Sequence, residues 1–152
     1  MMLSFLFEEC DPNKKVIEYL DYGHITLQGR FGYCSSKTGS RNLYLMMSIA
    51  SLLDEIEQFI TKKKEVHEYI GSDSSFGFWM IRYTNHISVT SRLGERIHIE
   101  DLNDEELIQC TWQSLNQFLL LNEKRFDKSG EEGLYFSDFD MAYANFKNSF
   151  NL

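Results

Sequence analysis

Five carboxylates fall within seven residues at Glu100-Asp101-Leu102-Asn103-Asp104-Glu105-Glu106, and a second acidic group, Glu131, Glu132, Asp138 and Asp140, lies further along the chain. Side chains of this type at this density attract cations. A calcium loop would need oxygen ligands at alternating positions around a central glycine, and the run has neither. Carboxylates in the first turn of a helix offset the positive end of its dipole. That role accounts for Asp104, Glu105 and Glu106 but leaves Glu100 and Asp101, which precede the cap. The nine acids of the two groups are therefore also the expected contacts for a positively charged partner.

Other chemically capable residues are scattered. His24, His67, His86 and His98 form no HExxH pattern and no cysteine–histidine set at zinc spacing, so no metal is expected. On a strand His98 and Glu100 would share a face, a geometry suited to acid–base work or to a surface hydrogen bond. Cys34 stands beside Ser35 and Ser36 with no base at a recognisable spacing, and a buried free thiol is the simpler reading. Gly71-Ser72-Asp73-Ser74-Ser75-Phe76-Gly77 lacks the lysine and the following helix of a phosphate loop. The basic runs Lys14-Lys15 and Lys62-Lys63-Lys64 adjoin acids, which argues against nucleic-acid binding. No catalytic residue and no cofactor is expected from these patterns.

The elements that must position these residues follow from periodicity. Leu3, Phe5 and Phe7 alternate as a strand before the turn Asp11-Pro12-Asn13. Val16 to Tyr22 reads as a second strand, broken at Gly23-His24, and Ile25, Leu27, Gly29, Phe31 and Tyr33 as a third. From Asn42 to about Lys63 the apolar residues recur at three and four, predicting a helix with Ser40 as its N-cap, Leu53 and Ile56 inward, and Lys62-Lys63-Lys64 against the negative end of the dipole. Val66 to Ile70 is a strand. Phe78 to Thr84 and Ile87 to Arg92 form two more, joined tightly at Asn85-His86: a two-residue turn would group Met80, Ile87 and Val89, a three-residue loop Trp79, Ile81, Tyr83 and Val89. Ile97 and Ile99 make a short strand ending at Asp101. Asn103 with Glu106 reads as a capping box opening a helix to about Lys124. After a loop from Asp127 to Gly133, Ser137 and Asp140 repeat the cap spacing before a terminal helix through Phe139, Tyr143, Phe146 and Phe150.

This order predicts an α+β fold: a largely antiparallel β-sheet with two long helices and a short C-terminal helix packed mainly on one face. At 152 residues, with 43% hydrophobic and 14% aromatic content, the chain suits one globular domain with an ample core. The apolar start Met1 to Phe7 has no basic flank and ends at Glu8-Glu9, so neither a signal peptide nor a membrane span is expected. Cys10, Cys34 and Cys110 are odd in number and far apart, which points to a reducing compartment, the cytoplasm, without disulfides.

In size, acidity and α+β order the whole chain resembles the immunity proteins encoded beside bacterial polymorphic toxins, including those of contact-dependent growth inhibition. The resemblance carries no diagnostic motif. It implies a non-catalytic, cytosolic inhibitor that binds one secreted toxin domain, often a basic nuclease, and blocks its active site or substrate groove. The family supplies no shared binding residues, so the nine acids stand on charge alone, with 23 Asp and Glu against 15 Lys and Arg and a net charge of −8. Two rival readings remain: a small enzyme or ligand-binding domain with His98, Glu100 or His86 in a pocket between sheet and helices, and a phage or plasmid accessory subunit that docks on a larger machine.

Overall fold

Strand-forming alternation builds two antiparallel sheets of four strands each. The computed structural model describes residues 3–92, 94–126 and 130–152, the stretch 130–135 by its backbone alone. In the first sheet β2 (Tyr22–Gln28) is central, flanked on one side by β1 (Ser4–Glu9) and on the other by β3 (Tyr33–Ser35) and β4 (Leu43–Tyr44). The second sheet is a meander of β5 (Val66–Ile70), β6 (Gly77–Arg82), β7 (Ile87–Ser91) and β8 (His98–Leu102). Helix α1 (Leu45–Thr61) touches strands of both sheets, α2 (Asp104–Leu121) packs on β1, and α3 (Gly130–Ser149) packs on α1. The fold is α+β, as its pattern indicates, with the strands divided between two sheets.

The helix α1 joins the layers because its apolar face is wide. Leu45, Ile49, Leu52, Leu53, Ile56 and Phe59 are all buried, each such side chain contributing about 1.5–3 kcal/mol by leaving water. Ser48 on the same face is buried too. Its carbonyl accepts a hydrogen bond from the Tyr69 hydroxyl of β5 (2.7 Å), and its Oγ accepts from the Ser72 N–H (2.9 Å). The first helical N–H, that of Leu45, donates to the Asp21 carbonyl (3.1 Å), and the N-cap residue Tyr44 supplies no side-chain cap. Ser40, the expected cap, lies instead in the preceding turn at φ 55°. It is displaced because Leu43 and Tyr44 are drawn into pairing with β2.

Several local expectations are overturned by tertiary contacts. Val16 to Asp21 is no strand, and Tyr22 already belongs to β2: Ile17 and Tyr19 are buried, but among the described residues Ile17 bridges only to Phe126, and its N–H donates to the Arg125 carbonyl (2.6 Å). Alternation is present there without a neighbouring strand to complete a ladder. Gly23 lies inside β2 rather than ending a strand, since a Cβ there would sit 2.4 Å from the Glu8 carbonyl oxygen. The run from Ile25 to Tyr33 is broken by a turn, Gly29 N–H to Gly32 carbonyl (2.9 Å), which leaves Phe31 55% and Tyr33 58% exposed. This turn docks on β8, where the Phe31 N–H donates to the Ile99 carbonyl (3.1 Å). A Cβ on Gly29 would lie 2.2 Å from that oxygen, so the approach requires glycine.

The β6–β7 hairpin takes the face grouping of the two-residue alternative, with the turn at Thr84-Asn85 rather than Asn85-His86. Tyr83 N–H meets the His86 carbonyl (2.8 Å), and Met80, Ile87 and Val89 share the buried face. The capping box of α2 is formed as the spacing predicts: Glu106 N–H donates to Asn103 Oδ1 (2.8 Å) and Asn103 N–H to Glu106 Oε1 (3.0 Å). The terminal helix differs from expectation. It begins at Gly130 and is 20 residues long, so Ser137 and Asp140 lie inside it rather than at its cap. Burial of Phe136, Phe139 and Phe146 ties its length down despite two glycines near its start. Of the expected loop from Asp127 to Gly133, residues 127–129 lie outside the described residues and Gly130 to Gly133 are helical. Among the described residues no helix is long and apolar enough to cross a membrane.

Candidate functional site

The run from Glu100 to Glu106 crosses the end of β8 and the first turn of α2, and most of its charge is matched in place. Glu100 is fully buried. A register irregularity opposite Val89 and Thr90 places Ile99 and Glu100 both inward, against the turn that carries Arg30. One carboxylate oxygen accepts from Arg30 Nε (2.8 Å) and from the Asp101 N–H (3.0 Å), and lies 2.7 Å from Arg30 Nη2. The other accepts from the Arg30 N–H (2.9 Å). Burial alone would push this carboxyl up, but the Arg30 side chain and the two N–H groups outweigh it and hold it below the ordinary carboxylate range. The expectation that Glu100 faces a partner is corrected: it fastens the turn of the first sheet to the last strand of the second.

Its neighbours divide between structural and exposed roles. Asp104 accepts from Arg82 Nη1 (2.7 Å) and Lys63 Nζ (3.0 Å), which outweigh its burial and lower its carboxyl below the ordinary range. Lys63, expected at the end of the α1 dipole, thereby reaches across to the start of α2. Glu106 is engaged in the capping box and Glu105 bonds Gln109 Nε2 (3.0 Å) while remaining exposed. Asp101 is bonded to His98 Nε2 (2.7 Å) and lies 3.7 Å from His86 Nε2. His98 therefore pairs with Asp101 and stacks on Phe31, ring centres 4.8 Å apart, and does not share a face with Glu100. His86 lines an open cavity of about 330 Å³ with Arg82, Asn103, Asp104 and Glu105.

The second acidic group behaves differently. The side chains of Glu131 and Glu132 lie outside the described residues. Asp138 and Asp140 are exposed on α3. Asp140 borders an apolar groove against α2 with Leu119, Phe126 and Tyr143, whereas Asp138 lines a groove of about 290 Å³ against α1. Across that groove stands Asp54, a residue that periodicity marks only as lying off the buried stripe of α1. Burial and the adjacent Glu57 raise the Asp54 carboxyl above its ordinary value. Neither Asp54 nor Asp138 makes a salt bridge among the described residues. Met47, Asn145 and the 64% exposed Met141 complete the lining.

A cysteine–histidine contact not visible in the sequence joins β1 to β2. Cys10 Sγ lies 3.6 Å from His24 Nε2, and His24 Nδ1 lies 2.9 Å from Ser36 Oγ. The residues are in the order of a nucleophile, a base and an orienting group, but their electrostatics run the other way. Burial raises the Cys10 thiol, while burial and Lys37 lower the His24 imidazole. Both therefore favour their neutral forms, and an activated thiolate needs the opposite. Cys34 and Cys110 are free thiols pushed up to about 12 by burial. Among the described residues no group of three or more His, Cys, Asp or Glu is placed to hold a metal. Comparison of the chain with protein families, with curated proteins and with solved structures yields no match in any of the three.

Proposed function

We propose that this chain is a non-catalytic immunity protein that neutralises a basic toxin domain by binding it through the α1–α3 groove. The observation that carries the reading is the pairing of Asp54 and Asp138 across one groove, both exposed and neither salt-bridged among the described residues. Burial and the adjacent Glu57 hold the Asp54 carboxyl above its ordinary value, and no cation offsets them. A lysine or arginine of the partner would supply the missing charge. The exposed Met141 and the half-buried Met47 add an adaptable apolar contact beside it. Long-range attraction from a net charge of −8 would accelerate the encounter, and the groove would fix the register.

The test uses the variable C-terminal domain of a large secreted protein encoded beside this gene. Wild-type chain is expected to bind that domain and protect cells expressing it. The double variant Asp54→Lys/Asp138→Lys should remain folded, associate about tenfold more slowly at low salt and lose protection. Glu105→Lys, at the exposed edge of the other acidic region, should protect nearly as well as wild type. Full protection by the folded double variant would overturn the groove as the interface. Turnover of a substrate by the purified chain, lost on changing Cys10 or His24, would instead favour an enzyme.

A further inference from the structure

We propose that the cleft between the two sheets is a binding site for a small monocarboxylate with an apolar body, oriented by the guanidinium of Arg41. The chain has six arginines. Four meet a carboxylate: Arg30 with Glu100, Arg82 with Asp104, Arg92 with Glu68 (3.1 Å) and Arg125 with Glu9 (2.6 Å). Arg96 lies over the Trp79 ring, 5.5 Å from its centre. The guanidinium of Arg41 has no ion pair, hydrogen bond or ring contact among the described residues. In a chain with 23 acids and 15 bases this is no shortage of carboxylates. The position of Arg41 is nevertheless held: its N–H donates to the Ser36 carbonyl (2.8 Å) and its carbonyl accepts from Ser74 Oγ (2.9 Å).

The residue lines a cavity of about 330 Å³ with Tyr33, Cys34, Thr38, Phe76 and Ile97. Phe76 is buried and the Cys34 thiol stays neutral, so much of the wall is apolar, while Tyr33 and Ile97 are exposed. One unmatched positive charge beside apolar walls, in a volume near the lower end of the range that small ligands occupy, defines the ligand class. The second guanidinium in the cleft, Arg92, is balanced by Glu68, so the site offers one net charge and suits a monoanion. The field of a protein carrying −8 opposes a phosphate dianion about twice as strongly as a monoanion. A planar carboxylate matches the guanidinium through two parallel hydrogen bonds. This inference involves neither the groove nor the toxin, and its test is separate from theirs.

The isotope-labelled 152-residue chain is titrated with benzoate, 3-methylbutanoate, benzamide and inorganic phosphate, and amide shifts are followed. At least one carboxylate is expected to give saturable shifts centred on Tyr33, Cys34, Arg41 and Gly77, with benzamide and phosphate weaker by about tenfold or more. Arg41→Gln, with its fold confirmed by an otherwise unchanged spectrum, should weaken the carboxylate by a similar factor. The proposal is overturned by non-saturating shifts with both carboxylates in the millimolar range, by equal binding of benzamide, or by equal binding to Arg41→Gln. Phosphate binding as tightly as benzoate would overturn the monocarboxylate assignment. Because the benzoate–benzamide comparison uses wild-type protein, a variant that failed to fold would not remove the test.

Discussion

The two acidic regions of this molecule differ in what their carboxylates meet. In the run from Glu100 to Glu106, Arg30, Arg82, Lys63 and the N-terminal amides of α2 lie against the acids. In the α1–α3 groove, Asp54 and Asp138 line one hollow without a salt bridge among the described residues. The denser region thus holds the fold, and the sparser one leaves its two acids without a counter-charge among the described residues. Density of charge in a sequence measures how many ionisable groups are close together; the field outside depends on which of them have counter-charges inside.

The comparison is most exposed to failure at Glu100. Glu100→Ala removes a buried carboxylate and strands the N–H groups of Arg30 and Asp101, so unfolding in urea should show a loss of about 3 kcal/mol. A loss below about 0.5 kcal/mol, the range of ordinary surface changes, would mean that the link between the sheets is dispensable. Asp104→Ala should cost less, about 1 kcal/mol, because the Asp104 carboxylate keeps access to water, 27% exposed against 0% for Glu100, and the dipole effect is modest. A cost equal to that of Glu100→Ala would erase the distinction between a sealed and a half-open carboxylate. In the groove, Asp54→Lys and Asp138→Lys should each change stability by no more than about 0.5 kcal/mol. Destabilisation by several times that amount would show the groove to be structural as well.

The same contrast has a pH signature of opposite sign. Glu100 and Asp104 titrate below the ordinary carboxylate range in the folded chain. Their contribution is complete above the unfolded-state values and is lost as pH falls through the lowered folded values. Asp54 titrates above that range, so its ionisation opposes folding as pH rises through its raised value. The stability difference between wild type and Glu100→Gln should therefore shrink in acid, while Asp54→Asn should gain on wild type towards neutral pH. Parallel pH profiles for the two variants would contradict the assignment. The smallest effect concerns Cys10: its alkylation rate should rise with pH about a midpoint above that of an ordinary thiol, and a midpoint below it would indicate a thiolate activated by His24.

Much of the fold was legible because its signals are local. The period of α1, the capping box at Asn103 and Glu106 and the strand Val66–Ile70 each depend on residues a few positions apart. The errors fall where a distant segment decides. Val16 to Asp21 has the alternation of a strand but meets the Arg125–Phe126 segment instead of another strand, and Gly23 continues β2 because it pairs with Glu9 of β1, which passes too close for a side chain. The candidate site was legible only in part: Asp138 carries over into the groove, Glu100 does not remain on the surface, and Asp54 carried no signal beyond lying on the outer face of a helix.

By itself the amino-acid sequence determined the class of fold, the inward face of α1 and the acidity of the surface, because hydrophobic period, capping spacing and net charge are sums over near neighbours or over the whole chain. Only the tertiary structure decided which acids face water. An ion pair such as Arg30 with Glu100 joins residues from two sheets, and its formation depends on a glycine turn reaching the edge of β8. Whether a carboxylate is matched or available is set by such long-range encounters: the Coulomb interaction depends on distance through space and is indifferent to separation along the chain.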